Sequence, residues 1–316
     1  RGLGDVYKRQ VPCVESMLNS PSPGLAPLGI YYHVPFCRKR CHFCYFRVYT
    51  DKNSSDVRRY LAATMKEFQN YADAPYLKNR KPKFVYFGGG TPSYLSALQL
   101  TELTDQMKAI MPWDEAEEVT FECEPGTLSE KKLEVIKKFG VTRLSLGVEN
   151  FSDHILETNG RAHRSGEVFK AYEFARGLGF ENVNIDLIAG MLEETDENWS
   201  DCIDRTIELS PDCVTIYQME VPFNTTIFKN MKEQNELSAP VADWPTKRRW
   251  VAQAFERLEN AGYSITSTCT AVKNPRVTTF GYRDRLWSGA DMVALGVASF
   301  GHLGGIHYQN LTHFDH

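Results

Sequence analysis

The chain has 316 residues, of which 42% are hydrophobic and 24% are charged, and its formal net charge is −4. This composition is typical of a folded globular protein and excludes wholesale disorder. The slight acidic excess and the lack of a long basic run argue against a nucleic-acid partner. No apolar stretch is long enough for a transmembrane helix and no secretory signal is recognisable, so we predict a cytoplasmic protein without a membrane span.

The two ends of the chain indicate a fragment of a longer protein. The sequence begins RGLGDVYKRQ, without an initiator methionine, and it stops within a pattern that still predicts structure. We expect residues 1–10 to be foreign sequence, with a proteolysed native N-terminus as the alternative. Residues 1–28 then form an N-terminal extension. It ends in a stretch with three prolines, SPSPGLAPLG, which is typical of a linker.

From residue 29 onward, short apolar strands alternate with helical patterns. Six strands are predicted, at residues 29–36, 83–89, 118–125, 142–150, 182–190 and 212–221. Helices are predicted between them at residues 54–71 (capped by Ser54 or Ser55), at 96–111, at 129–139, in a segment that ends near 177, and at 195–209. Strands this short and apolar are typical of a parallel sheet that is buried on both faces.

Right-handed crossovers between six such units give either a doubly wound sheet or a (β/α) barrel. Polar or glycine-rich residues follow nearly every strand, at the rim where barrels place their sites. The glycines are not concentrated after the first strand, as a Rossmann fold requires, and no P-loop motif occurs. We therefore predict an α/β fold with a partial, six-stranded TIM-like (β/α) barrel over residues 29–230. A smaller α+β region, truncated at its C-terminus, is predicted over residues 231–316.

Three of the eight cysteines are grouped after the first strand, as Cys37, Cys41 and Cys44 in a CxxxCxxC pattern. Chance would give roughly 0.005 such patterns in a chain of this composition, so the spacing indicates a metal site. Three thiolates on a 4Fe–4S cluster would leave one iron free to bind a small molecule. The alternatives are a structural zinc site completed by His33 or His42, and three unrelated buried cysteines.

The position of this motif, in the loop after the first strand of a (β/α) barrel, resembles the radical S-adenosylmethionine (SAM) superfamily. Six segments resemble its oxygen-independent coproporphyrinogen III oxidase-like branch: IYYHVPFC, FGGGTPSYL, FECEPGTL, RLSLGVENF, NIDLIAGM and ALGVASFG. The likeness extends from about Gly29 to the C-terminus. It implies that Cys37, Cys41 and Cys44 ligate a 4Fe–4S cluster and that SAM binds the remaining iron.

The resemblance also implies a set of SAM contacts. Gly89, Gly90 and Thr91 match the GGTP segment of the family, where glycines let backbone carbonyls approach the SAM ammonium. The other matches are Glu122 for the ribose hydroxyls, Arg161 for the SAM carboxylate, Asp186 at the end of an apolar strand, Tyr31 before the cysteine loop, and Gly296–Gly301 over the adenosine. Taken alone, each of these residues also fits an ordinary turn, rim or core position.

In this superfamily one electron passes through the cluster to SAM, which breaks into methionine and a 5′-deoxyadenosyl radical. The resemblance therefore implies a 4Fe–4S cluster and SAM as cofactors, with either one SAM or two. Reduced flavodoxin or ferredoxin is the expected electron donor. The expected substrate is a small molecule, either a tetrapyrrole or another natural product.

One position leaves the reaction open. Coproporphyrinogen oxidases of this branch carry a fourth cysteine in CxxxCxxCxC, whereas this chain has Phe46 at that place. The prediction remains a coproporphyrinogen III oxidase-like enzyme of porphyrin biosynthesis, which decarboxylates propionate side chains. Three arginines, Arg276, Arg283 and Arg285, are then candidates for binding the propionates.

Two alternatives lack the fourth cysteine as well. The first is a class C radical SAM methyltransferase or cyclopropanase, which binds a second SAM. The second is a haem-binding chaperone of the same family, although the HNxxYW segment usual in those proteins is only YRDRLW here. At the rim, Glu149, Gln218 and Glu220 are candidates to face either the tetrapyrrole substrate of a decarboxylase or the second SAM of a methyltransferase. His302 and His307 are candidates to ligate haem iron.

Overall fold

The computed structural model describes residues 13–22, 24, 26–236 and 238–314. The predicted foreign segment at residues 1–10 lies outside the described residues. Residues 13–18 form a short helix, α1, in which Val14, Met17 and Leu18 pack against the main hydrophobic core. This part of the predicted N-terminal extension therefore packs on the folded domain.

The strands are β1 (Leu28–Val34), β2 (Pro82–Gly89), β3 (Glu118–Cys123), β4 (Arg143–Glu149), β5 (Asn182–Ala189), β6 (Cys213–Gln218), β7 (Ser264–Ser267), β8 (Thr270–Val272), β9 (Asp291–Leu295), β10 (Phe300–Leu303) and β11 (Ile306–Gln309). The longer helices are α2 (Ser54–Asp73), α3 (Ala97–Ile110), α4 (Glu130–Lys138), α5 (Asp153–Thr158), α6 (Ser165–Gly177), α7 (Asp196–Leu209), α8 (Thr226–Glu233), α9 (Trp244–Asn260) and α10 (Gly281–Trp287). The six strands predicted before residue 222 all form.

All these strands belong to one sheet in the order β11-β10-β9-β1-β2-β3-β4-β5-β6-β8-β7. Strands β1 to β6 are parallel neighbours in chain order. The prediction of an α/β fold with a parallel sheet is therefore confirmed. The part of the chain after residue 231 adds strands to both edges, because β9 pairs parallel with β1 and β8 pairs antiparallel with β6. The boundary near residue 230 stays a prediction.

The central strands have one apolar and one polar face. In β4, Leu144, Leu146 and Val148 are fully buried in the core shared with the helices. The alternate residues of the same strand, among them Arg143 and Ser145, point to the opposite face because side chains alternate along a strand. This arrangement brings polar side chains from several strands together on one side of the sheet.

Helix α2 begins differently from the prediction. Neither Ser54 nor Ser55 is the cap: the side-chain oxygen of Asn53 accepts hydrogen bonds from the backbone N–H groups of Ser55 and Asp56, at 2.8 and 3.1 Å. The Asp56 carboxylate in turn accepts from the Asn53 N–H at 3.2 Å. This reciprocal pair is a capping box, which satisfies more of the unpaired N–H groups than a serine within the first turn could.

The cap gives a stability prediction. Replacing Asn53 by alanine should lower the free energy of unfolding by about 1 kcal/mol, because two N–H groups lose their partner. Replacing Ser54 by alanine should change it by less than about 0.5 kcal/mol. Chemical denaturation of both variants beside the wild type measures the difference. An equal loss in the two variants would contradict this assignment of the cap.

Candidate functional site

A cavity of about 680 Å³ lies at the carboxyl ends of the parallel strands. Nine of the ten residues predicted for the cluster and SAM line it: Cys37, Cys41, Cys44, Gly89, Gly90, Thr91, Glu122, Arg161 and Asp186. Glu149, Gln218 and Glu220, predicted as rim residues, line it as well. The structure thus collects residues from five strand ends and the cysteine loop around one space, as a barrel rim does.

The cysteine loop is anchored at both ends. Cys37 directly follows the first strand region, and its N–H donates to the carbonyl of Tyr49 at 3.1 Å, while the Tyr49 N–H donates to Pro35 at 2.8 Å. Between these bonds the chain turns tightly, with the Cys44 N–H bonded to the Cys41 carbonyl at 3.1 Å. The three thiols are free and half-buried, so the loop presents them to the cavity without a disulfide.

Two side chains already donate hydrogen bonds to these thiols. The hydroxyl of Thr91 lies 3.3 Å from the Cys37 sulfur, and an Arg161 nitrogen lies 3.4 Å from the Cys41 sulfur. Gly90 is required by space, because a Cβ there would be 2.9 Å from the Cys37 sulfur. Burial raises the pKa of Cys37 to about 12 and that of Cys44 to about 11. Binding of iron must therefore displace thiol protons.

The donor set fits a cluster on three cysteines better than zinc. The two candidates for a fourth zinc ligand have other partners: His33 Nδ1 lies 3.2 Å from the Tyr31 hydroxyl, and His42 Nδ1 lies 3.0 Å from the Thr158 carbonyl. Each histidine therefore has one ring nitrogen engaged elsewhere, and the loop itself supplies three free thiols.

Arg161 is the central cation of the site. Its side chain is 11% exposed, and one terminal nitrogen donates to the Gly147 carbonyl at 2.5 Å and lies 3.7 Å from the Glu149 carboxylate. Its Nε has no hydrogen-bond partner. A largely buried guanidinium with an unused donor suits a carboxylate ligand, because its planar fork can bind both oxygens.

Three carboxylates from neighbouring strands oppose this cation. Glu122 accepts from the Tyr86 hydroxyl at 2.6 Å and from the Gly89 N–H at 3.2 Å, and Asp186 accepts from Ser145 at 2.8 Å. Burial, with the negative charge of Asp186 adding to it, raises the pKa of Glu122 to about 7. Carboxylates that repel one another in this way are stabilised in their ionised form by a cationic ligand.

The carboxyl pKa of Glu149 is raised as well, and the backbone of this residue has an uncommon conformation. Burial raises the pKa of this carboxyl to about 7, although Arg161 lowers it. Its backbone has φ 65°, in the left-handed region, where the register of β4 and β5 is irregular. A non-glycine residue held in that region beside a cavity is typical of functional sites.

Tyr31 and the segment Gly296–Gly301 are the predicted SAM residues that do not line the cavity. The Tyr31 ring stacks on Tyr86 at 5.9 Å between centroids, and Tyr86 in turn donates to Glu122. Tyr31 therefore supports the residue that holds a predicted SAM contact. The N–H of Gly296 donates to the Glu67 carboxylate at 2.8 Å.

The arginines predicted to bind propionates are placed elsewhere. None of Arg276, Arg283 and Arg285 lines the cavity. Arg285 pairs with Glu117, just before the start of β3, which is the strand end opposite the cavity. The three arginines therefore do not line the described cavity, and their role in binding propionates stays a prediction.

The two histidines proposed for haem iron form a cross-strand pair outside the cavity lining. His302 on β10 is paired with His307 on β11, with ring centroids 4.5 Å apart. Their role stays untested.

The residues that fix the cysteine loop were not predicted from the sequence. Arg38, within the loop, forms a two-pronged ion pair with Glu124 at the end of β3, with N–O distances of 2.5 and 3.0 Å. Arg40 donates to the carbonyl of Cys44 at 3.0 Å. The charged run between the first two cysteines, CRKRC, was the available signal. These contacts hold the loop against the sheet independently of the cysteines.

Comparison with known proteins decides the family. The model of the radical SAM superfamily matches residues 31–206. The chain belongs to the radical SAM superfamily. Within it, the chain belongs to the oxygen-independent coproporphyrinogen III oxidase-like branch, as the sequence motifs predicted.

The similar proteins in this branch have two different names. A heme chaperone HemW of Mycobacterium tuberculosis is 32% identical over 313 residues, covering 96% of this chain and 76% of the relative. HemW of Bacillus subtilis is 31% identical, covering 90% and 74%. An oxygen-independent coproporphyrinogen III oxidase of Salmonella typhimurium is 28% identical, covering 76% and 51%.

A solved structure has the same fold. Coproporphyrinogen III oxidase (HemN) of Escherichia coli superimposes with a TM-score of 0.82 at 23% identity, covering 96% of this chain and 70% of that one. In the part of this radical SAM protein that the structure describes, no helix is long and apolar enough to span a membrane.

The ligand assignment gives a direct prediction. Replacing Cys41 by alanine should abolish the brown absorbance of anaerobically reconstituted protein, because a cluster with only two cysteine ligands is not retained. Replacing Cys202 by alanine should leave iron and sulfide content unchanged, because that cysteine is buried in helix α7 outside the cavity. An unchanged iron content in the Cys41 variant would contradict the assignment.

Proposed function

We propose that this chain holds a 4Fe–4S cluster on its three loop cysteines and binds SAM in the adjoining cavity. When bound, these cofactors supply a 5′-deoxyadenosyl radical that can abstract a hydrogen atom. The observation that carries the proposal is the composition of the cavity. Free thiols, a largely buried arginine with an unused donor, and largely buried carboxylates line the same space.

The residues of the cavity complement the charges of SAM. Arg161 presents a guanidinium to the SAM carboxylate, and the backbone at Gly89 and Gly90 leaves room for close approach of the amino group. Glu122 and Asp186 accept hydrogen bonds, and their negative charge favours a cationic ligand. Since these groups are fixed by the strands, they are in place before SAM binds, which lowers the cost of ordering them.

The mouth of the cavity indicates a planar, anionic substrate. Four aromatic side chains at the mouth are about half exposed: Tyr45, Phe46, Tyr217 and Trp244. The first two stack on each other with centroids 4.5 Å apart. Arg38, Lys39 and Arg40 line the same cavity. Flat aromatic surfaces beside cations suit a tetrapyrrole with propionate side chains, and relatives of both names handle compounds of that class.

Two functions would use a tetrapyrrole, haem carriage and coproporphyrinogen decarboxylation, and haem carriage is our first proposal. The relatives named heme chaperone match 90% or more of this chain at 29–32% identity in three organisms. Phe46 supports this choice, because it stands where the decarboxylating enzymes carry a cysteine. Coproporphyrinogen decarboxylation, predicted from the sequence, is the second candidate, supported by the oxidase relative at 28% identity. Methyl transfer from a second SAM is the third.

The surface around the cluster suits an acidic electron donor. Residues 38–59 hold seven arginines and lysines but only two aspartates, although the whole chain has a net charge of −4. An excess of positive charge along the segment that carries the cysteines attracts an acidic protein and raises its rate of association. We propose that reduced flavodoxin or ferredoxin docks there.

The cofactor proposal predicts a specific defect. With dithionite as reductant, the reconstituted wild type should convert SAM to 5′-deoxyadenosine. Replacing Arg161 by methionine should weaken SAM binding by about 10- to 100-fold, because a charge-assisted hydrogen bond is lost. Replacing the exposed Arg164 by methionine is the matched control and should have little effect. Chromatography of the nucleoside and equilibrium dialysis of labelled SAM measure the two quantities.

The substrate proposal is tested by titration with haem. The protein should bind haem with a shift of the Soret band, and replacing Trp244 by alanine should weaken binding by about tenfold, because an aromatic contact is lost. Replacing the exposed Trp287, which lies outside the cavity lining, is the control. Anaerobic formation of protoporphyrinogen from coproporphyrinogen would establish the oxidase instead. Transfer of a labelled SAM methyl group to product would establish the methyltransferase.

A further inference from the structure

A buried arginine lies beneath the proposed SAM site and takes no part in the contacts described so far. Arg143, the first residue of β4, is 1% exposed. It is aligned with Thr120 of β3 and Asn182 of β5. Because side chains alternate along a strand, Arg143 faces the same side as Ser145, which lines the cavity. Arg143 is therefore one layer below the cavity.

The guanidinium of Arg143 has few local partners. Its Nε and Nη1 have no hydrogen-bond partner, and Nη2 lies 4.0 Å from the sulfur of Cys213. The ring of Phe280 stacks against it, 4.0 Å from centroid to guanidinium carbon. Within the described chain no carboxylate is within ion-pair distance of it. A buried charge without a partner is costly, so its position calls for an explanation at longer range.

Arg143 faces three carboxylates. Glu118, two residues before the aligned Thr120, lies below it and already accepts hydrogen bonds from the Gly281 and Tyr282 N–H groups, whereas Glu122 and Asp186 belong to the layer above and point to the cavity. Glu122 is aligned with Ser145, two residues beyond Arg143 on the same strand, and Asp186 is aligned with Gly147. The other groups around Glu122 are the carboxyl of Glu149 on the next strand and the uncharged phenols of Tyr31, Tyr86, Tyr217 and Tyr282. Asp186 is held by Ser145, Asn184 and Thr215. Arg161, the other cation, is committed to Cys41, Gly147 and Glu149.

We propose that Arg143 is a positioning residue for SAM: a buried cation that keeps Glu122 and Asp186 ionised and directed into the cavity before SAM binds. The inference rests on the proposed binding of SAM. Arg143 lowers the pKa of both carboxyls, against the burial that raises them. A guanidinium suits this role because it stays charged at every pH at which the protein folds.

The segment before and at the start of α10 fixes Arg143 in place. Phe280 covers the guanidinium, and the next two N–H groups, of Gly281 and Tyr282, donate to the Glu118 carboxylate at 2.7 and 3.0 Å. The Tyr282 ring packs on Tyr86 at 4.2 Å, and Tyr86 donates to Glu122. The C-terminal part of the chain thus forms the floor of the SAM site.

The test is SAM affinity at two pH values in reconstituted protein. Because the pKa of Glu122 is about 7 in the wild type, its ionised fraction, and with it SAM affinity, should rise between pH 6.5 and 8.5. In Arg143→Met the transition should move to higher pH. For a shift of about one unit, SAM binding should be about tenfold weaker than wild type at pH 6.5 and less than about twofold weaker at pH 8.5.

Two further variants separate an electrostatic role from a structural one. Arg143→Lys keeps the charge and should recover most of the affinity at pH 6.5. In a Glu122→Gln background, the additional loss caused by Arg143→Met should be nearly the same at both pH values, because Glu149, whose pKa is also about 7, titrates in both proteins and does not depend on Arg143. If Arg143→Met does not retain its cluster, Phe280→Leu serves instead and should shift the pH profile in the same direction by a smaller amount.

The outcomes separate the role inferred for Arg143 from the proposed binding of SAM. An equal loss of affinity at both pH values, or a loss that lysine does not reverse, would show that Arg143 acts only through packing and would overturn the inference. A wild type that carries the cluster but does not bind SAM at either pH would overturn the proposed function itself, and the inference with it.

Discussion

The burial of opposite charges at the ends of parallel strands is the constraint on which the site depends. Glu122, Glu149 and Asp186 come from adjacent strands, so the sheet forces their negative charges together in surroundings where water screens them little. The positive charge of Arg161 offsets these negative charges from the side of the cavity, and that of Arg143 offsets them from below. The proposed ligand, SAM, carries both a positive sulfonium and a negative carboxylate, so each of its charges would find the opposite sign in this cavity.

The parallel strands and most of the residues that line the cavity could be predicted from the sequence, for physical reasons. Buried parallel strands are continuous apolar runs, so their positions were recognisable, and the residues that follow them had to meet at one edge. The spacing of Cys37, Cys41 and Cys44 is local, since a single loop carries all three. Asp186 was identifiable because a carboxyl at the end of an apolar strand requires a partner, whereas Glu122 was identified from its match to the family motif.

The errors and omissions involve contacts between distant segments. The sequence of a short strand does not reveal which other strand it pairs with. Nothing in the sequence therefore showed that β8 and β9 would extend opposite edges of one sheet. Arg285 pairs with Glu117 just before the start of β3, the strand end opposite the cavity, and Arg283 donates to Thr270 without lining the cavity. The placement of these strands also brings Phe280 onto Arg143, a contact across more than a hundred residues. The Asn53 cap was missed for a simpler reason: two serines followed it.

The pairing of β1 with β9 has a consequence for how the protein is made. The strand that leads into the cysteine loop is hydrogen-bonded on one side by residues 82–89 and on the other by residues 291–295. During synthesis from the N-terminus, the second side of that strand remains an unpaired edge until nearly the whole described chain has left the ribosome. Open edges of this kind favour aggregation. The strand next to the proposed cluster ligands therefore completes its hydrogen bonding late in synthesis.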